Sequence, residues 1–241
     1  MAAGMIYTFG GSFWEFGGPD LERARLFVMI GTAEDHHSNP MKIALSKFKR
    51  AGGRFISINP IRTGYSAIAD EWIAIRPGTD GALLLALVHE LLRTGRFDSE
   101  FTARYTNGSQ LLRVQPGHAE DGLFVRDADG ADDAQGLMWW DAATQRPVPA
   151  WTEGAQPGLS GRYPLADGTP VAPALQLLRE QLAEHTPEWA AEITGGSAGR
   201  IRLLAQEMAQ AALDQGEDLP IAWTDWLGRE HATVRSKPLA F

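Results

Sequence analysis

The sequence lacks cysteine altogether among its 241 residues. This absence excludes disulfide bonds, zinc–thiolate sites, a thiolate nucleophile and an iron–sulfur cluster bound by the chain's own thiolates. Long apolar runs are also missing: the densest, residues 82–88, is far shorter than the ~20 residues needed to cross a membrane. Basic residues are the minority, 22 against 30 acidic, and the net charge of −8 disfavours extensive binding to nucleic acids or anionic membranes.

Two common catalytic and cofactor motifs are also absent. No G-x-G-x-x-G loop follows the first predicted strand, which disfavours ordinary dinucleotide binding. No G-x-S-x-G elbow is present for a serine nucleophile. The triplet Asp35-His36-His37 has no companion aspartate motif to complete a metal site. The sequence therefore nominates neither a catalytic residue nor a metal ligand.

Apolar patterning in the first hundred residues predicts alternating strands and helices. Residues 26–30 form a continuous apolar run typical of a strand buried on both faces. Residues 54–58, followed by Asn59-Pro60, predict a second strand. The helical spacing over 41–50 between them completes a β–α–β unit. A short strand at 72–75 follows, and then a helix at 81–93 that is apolar nearly all round, which predicts a buried helix.

The second half of the chain combines an irregular segment with further helices. Composition changes over 107–173, where two β-rich runs, 123–127 and 137–141, predict a hairpin ahead of a proline-rich loop. Helical periodicity returns at 173–184, 187–193 and 197–213. An additional parallel strand is expected at 219–223. The predicted fold class is α/β, a Rossmann-like parallel sheet covered by helices, with an irregular hairpin-containing insertion around 107–173.

Three segments follow the ends of the predicted parallel strands: 31–40, 59–63 and 76–80. Ligands of open parallel sheets bind beyond the carboxyl ends of the strands, so we expect these segments to converge on a ligand.

Asp80 has two interpretations. It precedes a helix and could cap its first N–H groups, or its carboxylate could accept two adjacent donors such as N1–H and the amine of guanine. Arg62 is either a solvated charge or a phosphate or ribose contact, and Gly31 either ends a strand or permits close approach of a ligand.

Two runs carry a resemblance to a known family. FISINPIRTGYSAIADEWIAIRPGTDGALLLALVHELL (55–92) and EWAAEITGGSAGRIRLLAQEMA (188–209) are similar to the dimethyl sulfoxide reductase family of bis-molybdopterin-guanine-dinucleotide oxidoreductases. That family has an Asx-Pro-x-Arg-x-Thr turn, then Ala-Asp, a Trp, and Pro-Gly-Thr-Asp-Gly-Ala-Leu entering a helix. The segment at 31–72 most resembles subunits acting on inorganic sulfur oxyanions, such as sulfite dehydrogenase and thiosulfate or polysulfide reductase.

The resemblance implies that residues 26–241 bind the guanosine end of a molybdopterin guanine dinucleotide. The residues it implies for cofactor binding are Gly31, Thr32, Ala33 and Glu34 after the first strand, Asn59, Pro60, Ile61, Arg62 and Thr63 at ribose and phosphate, and Gly78, Thr79 and Asp80 at guanine. The implied holoenzyme holds molybdenum as the bis-molybdopterin-guanine-dinucleotide form and oxidises or reduces a sulfur oxyanion.

Family catalytic subunits are several times longer than this chain and carry a [4Fe–4S] cysteine motif upstream. We therefore expect an internal fragment, inactive alone, whose residues 1–25 belong to an upstream domain. The implied partners are the remaining domains of the same catalytic polypeptide, an iron–sulfur subunit, and a membrane anchor subunit, without nucleic acid and without direct membrane insertion. The implied location is the cytoplasm or the cytoplasmic side of a membrane, with the periplasm also open.

One alternative stays open from the residues themselves. The same strand-end site would also suit a stand-alone guanine-nucleotide-binding α/β module without catalysis.

Overall fold

The computed structural model describes residues 6, 21–31, 39–62, 64–127, 136–225 and 227–241. The chain divides into two compact units: a first unit of Met1–Ile73 with Gln215–Phe241, and a second unit of Ala74–Asp214. Within the described ranges, no helix is long and apolar enough to span a membrane.

The helices and strands alternate along most of the chain. In chain order they are β1 (Leu26–Ile30), α1 (Asn39–Arg50), β2 (Arg54–Ile58), β3 (Glu71–Ile73), α2 (Asp80–Thr94), α3 (Ser99–Tyr105), β4 (Leu111–Arg113), β5 (Met138–Asp141), β6 (Arg146–Pro149), β7 (Tyr163–Pro164), β8 (Pro170–Pro173), α4 (Ala174–Gln181), α5 (Pro187–Thr194), α6 (Ala198–Ala209), β9 (Asp218–Leu219), β10 (Trp223–Thr224), β11 (Glu230–His231), β12 (Val234–Arg235) and β13 (Leu239–Ala240).

The first unit is built on a four-stranded parallel sheet in the order β13-β1-β2-β3. Strands β1 and β2 run in register from Leu26 beside Arg54 to Ile30 beside Ile58. Both are almost entirely buried, as their apolar sequences predict. The mixed α/β fold expected from the sequence is therefore confirmed.

Helix α1 packs on this sheet through a shared apolar cluster. Leu45 and Phe48 on the helix join Phe27 and Phe55, whose rings stack with centroids 5.5 Å apart. The turn after α1 depends on Gly53, because a Cβ there would lie 2.1 Å from the Phe48 ring. Glycine at this position therefore permits the close approach between the turn and α1.

The expected parallel strand at 219–223 is wrong. Strand β9 pairs antiparallel with β12, and β10 pairs antiparallel with β11. Pro220 has no N–H to donate to a ladder, so the apolar run cannot continue as one strand. The fourth parallel strand is β13, which lies beside Leu26 and Phe27 of β1.

Helix α2 is the main helix of the second unit, where it packs against α5 and α6. The expectation that α2 is buried all round is wrong. Its buried face contains Leu83, Ala86 and Leu87, whereas Leu84 and Val88 are exposed. Helices α5 and α6 cover only one side of α2, and a pattern that is apolar on every side does not show which side is covered.

Residues 107–173 contain two small antiparallel sheets, β4-β8-β7 and β5-β6. The prediction that 123–127 and 137–141 form a hairpin is only partly right. Among the described residues the two segments share one isolated antiparallel bridge, between Arg126 and Leu137. The regular partner of β5 is β6, inside the predicted proline-rich loop. Prolines are tolerated there because β6 is an edge strand and Pro170 and Pro173 lie at the ends of β8.

Asp141 fastens the turn after β5. Its carboxylate accepts hydrogen bonds from the Thr144 hydroxyl at 2.6 Å and from the backbone N–H groups of Gln156 at 2.9 Å and Ala143 at 3.1 Å. The Thr144 bond, followed by these backbone bonds, outweighs burial and lowers the pKa of Asp141 to about 2. The folded state therefore favours the ionised carboxylate.

Replacing Asp141 with asparagine is expected to destabilise the protein at neutral pH by a margin that shrinks in acid. A lowered pKa contributes stability above the ordinary value of 3.8, and this contribution is lost as the pH falls towards 2. Denaturant unfolding of the wild type and Asp141→Asn at pH 7, 4 and 2 measures the difference. Asp218→Asn, at an exposed side chain, is the control. A difference that stays constant with pH would contradict the expectation.

Candidate functional site

The carboxyl ends of β1 and β2 lie at one edge of the parallel sheet. The Gly31 N–H donates to the Ile58 carbonyl at 3.0 Å, and the Asn59 N–H donates to the Ile73 carbonyl at 3.1 Å. Gly31 has a φ of +77°, and no atom of another described residue lies within 4 Å of where its Cβ would stand. The backbone at Gly31 is therefore open to a ligand at the edge where parallel sheets bind one.

Asn59 fixes the turn after β2 from the inside. It is 2% exposed, and its side-chain amide donates to the Ser66 hydroxyl at 3.3 Å, which is itself 2.7 Å from the Ser57 hydroxyl. The Trp72 indole N–H donates to the Asn59 carbonyl at 3.0 Å. Asn59 thus holds the shape of the turn, and the residues after it form the outer surface.

Those residues, Pro60, Ile61 and Arg62, are exposed. Arg62 has no hydrogen bond or ion pair with any residue that the structure describes. An uncommitted guanidinium in this position is available to an anionic ligand. Thr32, Ala33, Glu34 and Thr63, which the sequence also nominates, lie outside the described residues.

Asp70 closes the segment between β2 and β3. Its carboxylate accepts the Phe55 N–H at 2.8 Å and pairs with Lys49 of α1 at 2.9 Å. Burial raises the pKa of Asp70, but the Lys49 and Phe55 hydrogen bonds and the charges of Lys49 and Arg54 outweigh it and leave the pKa below its usual range. Asp70 is therefore a structural residue that joins the segment before β3 to α1 and β2.

The second group of nominated residues lies in the second unit, in the loop before α2. The Thr79 N–H reaches back to the Arg76 carbonyl at 3.3 Å, with Pro77 and Gly78 between them. Gly78 has a φ of +77°, and Pro followed by a positive-φ Gly is the signature of a type II turn. Gly78 is exposed and has open space at its Cβ position.

The start of α2 bears on the capping interpretation of Asp80, whereas the guanine interpretation stays a prediction. Thr79 occupies the N-cap position of α2, and its hydroxyl donates to the Arg76 carbonyl at 2.7 Å instead of capping the helix. Asp80 is the first helical residue and makes no cap hydrogen bond. No described residue pairs with its half-buried carboxylate. Asp80 therefore has both carboxylate oxygens available at the positive end of a helix dipole.

Two polar residues further along α2 have structural roles. His89 lies with Nδ1 2.8 Å from the Leu182 carbonyl, a hydrogen bond that joins α2 to the segment after α4. Glu90 is 2% exposed and forms a bidentate pair with Arg93 at 2.7 and 2.9 Å. The Arg93 hydrogen bond lowers the pKa of Glu90 in spite of its burial.

A metal site has no support in the described ranges, which contain no group of three histidine, aspartate or glutamate side chains able to hold an ion. The triplet Asp35-His36-His37 lies outside those ranges.

Comparison with known proteins identifies similar sequences. The model of the molybdopterin oxidoreductase family matches residues 6–214. The chain is similar to a sulfite dehydrogenase subunit of Allochromatium vinosum, with 59% identity over 245 residues that cover 100% of this chain and 25% of the relative. It is also similar to the perchlorate reductase alpha subunit of Dechloromonas aromatica, with 31% identity over 80% of this chain and 24% of the relative.

The chain also has a shorter match to a thiosulfate reductase subunit. The thiosulfate reductase molybdopterin-containing subunit of Salmonella typhimurium is 43% identical over 87 residues, which cover 36% of this chain and 11% of the relative. The chain thus spans a quarter or less of the length of these relatives.

Proposed function

This chain belongs to the molybdopterin oxidoreductase family, and we propose that it holds the guanosine end of a molybdopterin guanine dinucleotide cofactor. The observation that supports this proposal is that Asp80, the first residue of α2, has a carboxylate that pairs with no described residue. Guanine presents two adjacent donors, N1–H and the exocyclic amine, and a carboxylate accepts both at once. The side chain fits guanine in number and type of hydrogen-bonding groups.

The exposed turn after β2, a part of the first unit, has by itself groups that suit a ribose or a phosphate. Arg62 supplies a permanent positive charge for phosphate, and Pro60 and Ile61 present an exposed surface beside it. Gly31 and Gly78 leave room for a ligand to approach the backbone. On the family resemblance we also assign Thr32, Ala33, Glu34, Thr63 and Thr79 to cofactor binding. Asn59, whose side chain is buried, is assigned through its backbone and through the shape that it gives to the turn.

The proposed reaction of the complete protein is oxidation or reduction of an inorganic sulfur oxyanion. The 59% identity along the whole chain to a sulfite dehydrogenase subunit supports this substrate class, and the thiosulfate reductase match agrees with it. When bound, the cofactor supplies the oxygen-atom and two-electron chemistry, and this chain binds and orients its nucleotide end.

The wider assembly follows from the same proposal. A bis-molybdopterin-guanine-dinucleotide centre and a [4Fe–4S] cluster belong to the complete catalytic subunit. Its proposed partners are an iron–sulfur subunit, together with a membrane anchor subunit. The proposed location is the cytoplasm or the cytoplasmic side of a membrane, and the periplasm is the alternative.

The complete protein that carries this chain is expected to reduce an electron-accepting dye when sulfite is supplied. Steady-state reduction of the dye by sulfite, thiosulfate or formate, and oxidation of a pre-reduced dye by thiosulfate or nitrate, all at equal concentrations, measure the preference. Acid hydrolysis of the purified protein is expected to release guanosine monophosphate, which tests the form of the cofactor. Turnover with nitrate or formate, but with neither sulfite nor thiosulfate, would overturn the sulfur assignment. Hydrolysis without release of guanosine monophosphate would overturn the guanosine assignment.

A further inference from the structure

The loop that carries Asp80 is fastened by one arginine, Arg76, to the end of helix α5. The Arg76 side chain donates from Nη1 to the Glu192 carbonyl at 2.8 Å and to the Ile193 carbonyl at 3.1 Å. Its backbone N–H donates to the Thr194 carbonyl at 2.9 Å. Three successive carbonyls at the end of α5 are therefore satisfied by one residue that lies far earlier in the chain, 116 positions before Glu192.

These contacts suit the chemistry of a helix terminus. The last carbonyls of a helix lack partners within the helix, and the terminus carries partial negative charge. A guanidinium supplies both the donors and the opposite charge. The contact is thus a C-terminal cap made from a distant loop.

Gly195 makes room for this cap. It follows α5 in the left-handed conformation, with φ +77°, and a Cβ there would lie 3.3 Å from Nε and 3.6 Å from Cγ of Arg76. The arginine side chain therefore lies directly over Gly195. A side chain at Gly195 would meet both backbone strain and a tight contact with Arg76.

Arg76 also fixes the turn that follows it. Its carbonyl accepts the Thr79 N–H at 3.3 Å and the Thr79 hydroxyl at 2.7 Å. Asp80 follows Thr79 directly, and α2, which begins at Asp80, packs against α5. Arg76 is thus bonded to α5 on one side and to the turn before Asp80 on the other.

We propose that Arg76 is a positioning residue for guanine selectivity: anchored over Gly195 on α5, it holds the Asp80 carboxylate so that both oxygens meet guanine together. This inference rests on the proposed binding of guanosine. The hydrogen bonds of Arg76 also connect the 76–80 segment with the Ile193-Thr194-Gly195 segment, so that the two act as one functional element. Neither segment's sequence alone predicts this contact.

The preference for guanosine diphosphate over inosine diphosphate shows whether Arg76 positions the Asp80 carboxylate or only stabilises the fold. Hypoxanthine retains the N1–H donor of guanine and lacks the amine, so it engages one Asp80 oxygen instead of two. If the 76–80 loop is less firmly held, the hydrogen bond from the guanine amine to the second Asp80 oxygen is lost first. We expect Arg76→Ala to weaken binding of guanosine diphosphate about tenfold and inosine diphosphate much less, the loss of about one hydrogen bond to a charged group.

The experiment is calorimetric titration of the 241-residue chain with guanosine diphosphate and inosine diphosphate, for the wild type and each variant. Arg202→Ala is the matched control, because Arg202 pairs with Glu188 of the same helix α5 and makes none of the described hydrogen bonds to the 76–80 loop. It is expected to leave the guanine preference unchanged. Arg76→Lys, which keeps a cationic donor, is expected to restore part of the preference.

The outcomes separate this inference from the proposed function. A wild-type chain that fails to bind guanosine diphosphate, or binds both nucleotides equally, overturns guanine recognition and the inference with it. A wild type that prefers guanosine diphosphate, with Arg76→Ala retaining the full preference, overturns the positioning role alone. If Arg76→Ala does not fold, as judged by thermal unfolding, Arg76→Lys and Gly195→Ala are judged by the same preference.

Discussion

Replacing Asp80 with asparagine is expected to weaken guanosine diphosphate binding by roughly a hundredfold, about 3 kcal/mol. The carboxylate has no described partner and lies at the start of α2, so its two oxygens are free to accept from guanine. Asparagine retains one acceptor and turns the other position into a donor that faces the donors of guanine. Titration of the wild-type and variant chains with guanosine diphosphate measures the effect.

The control for this prediction is Glu100→Gln. Glu100 also lies in the first turn of a helix, α3, and its side chain is well exposed. Both substitutions remove a negative charge from the start of a helix, a change worth about 0.3–1 kcal/mol to stability. Only Asp80→Asn is expected to change nucleotide binding. If the wild type and Asp80→Asn bind guanosine diphosphate with equal affinity, Asp80 does not contact guanine and is only a first-turn residue of α2.

Replacing Phe55 with alanine is expected to lower the free energy of unfolding by about 3–5 kcal/mol. Phe55 is fully buried at 0% exposure, stacks on Phe27, and lies in β2 against Leu45 and Phe48 of α1. The substitution removes the ring and leaves a cavity between the sheet and α1. Urea denaturation of the wild type and the variant measures the loss.

Phe101→Ala is the matched comparison, because the Phe101 ring is 54% exposed on α3. A loss below about 1 kcal/mol is expected there, since little apolar surface returns to water. If the two substitutions cost the same, the cluster around Phe55 does not stabilise the protein as its burial implies. Loss of β2 would also displace Asn59 and the exposed turn after it, so Phe55→Ala is unsuitable for binding measurements.

The local elements are predictable where the sequence pattern is strong. A continuous apolar run predicts β1, the run at 54–58 before Asn59-Pro60 predicts β2, and both strands occupy the predicted residues. The segment 76–80 follows β3 and leads into α2, as the sequence predicts, and Gly78 in it has a positive φ. The family resemblance drawn from 55–92 and 188–209 is confirmed by the family match across residues 6–214.

The errors arise where pairing partners are distant in sequence. The apolar run near 219 predicts a strand of the parallel sheet, but β13 takes that place and β9 pairs with β12. Short strands of two residues have too few side chains to show which partner they choose. Tertiary pairing therefore decides the sheet edge.

The site divides in the same way. The sequence by itself determined the family, through the resemblance of 55–92 and 188–209. It also determined the fold class and which residues lie at the ends of β1 and β2, because apolar periodicity and turn chemistry are local. Only the tertiary structure decided that Asn59 faces inward on Ser66, that Thr79 and not Asp80 is the N-cap residue, and that Arg76 caps α5. Hydrogen-bond partners far apart in the chain are selected by packing, which no local pattern specifies.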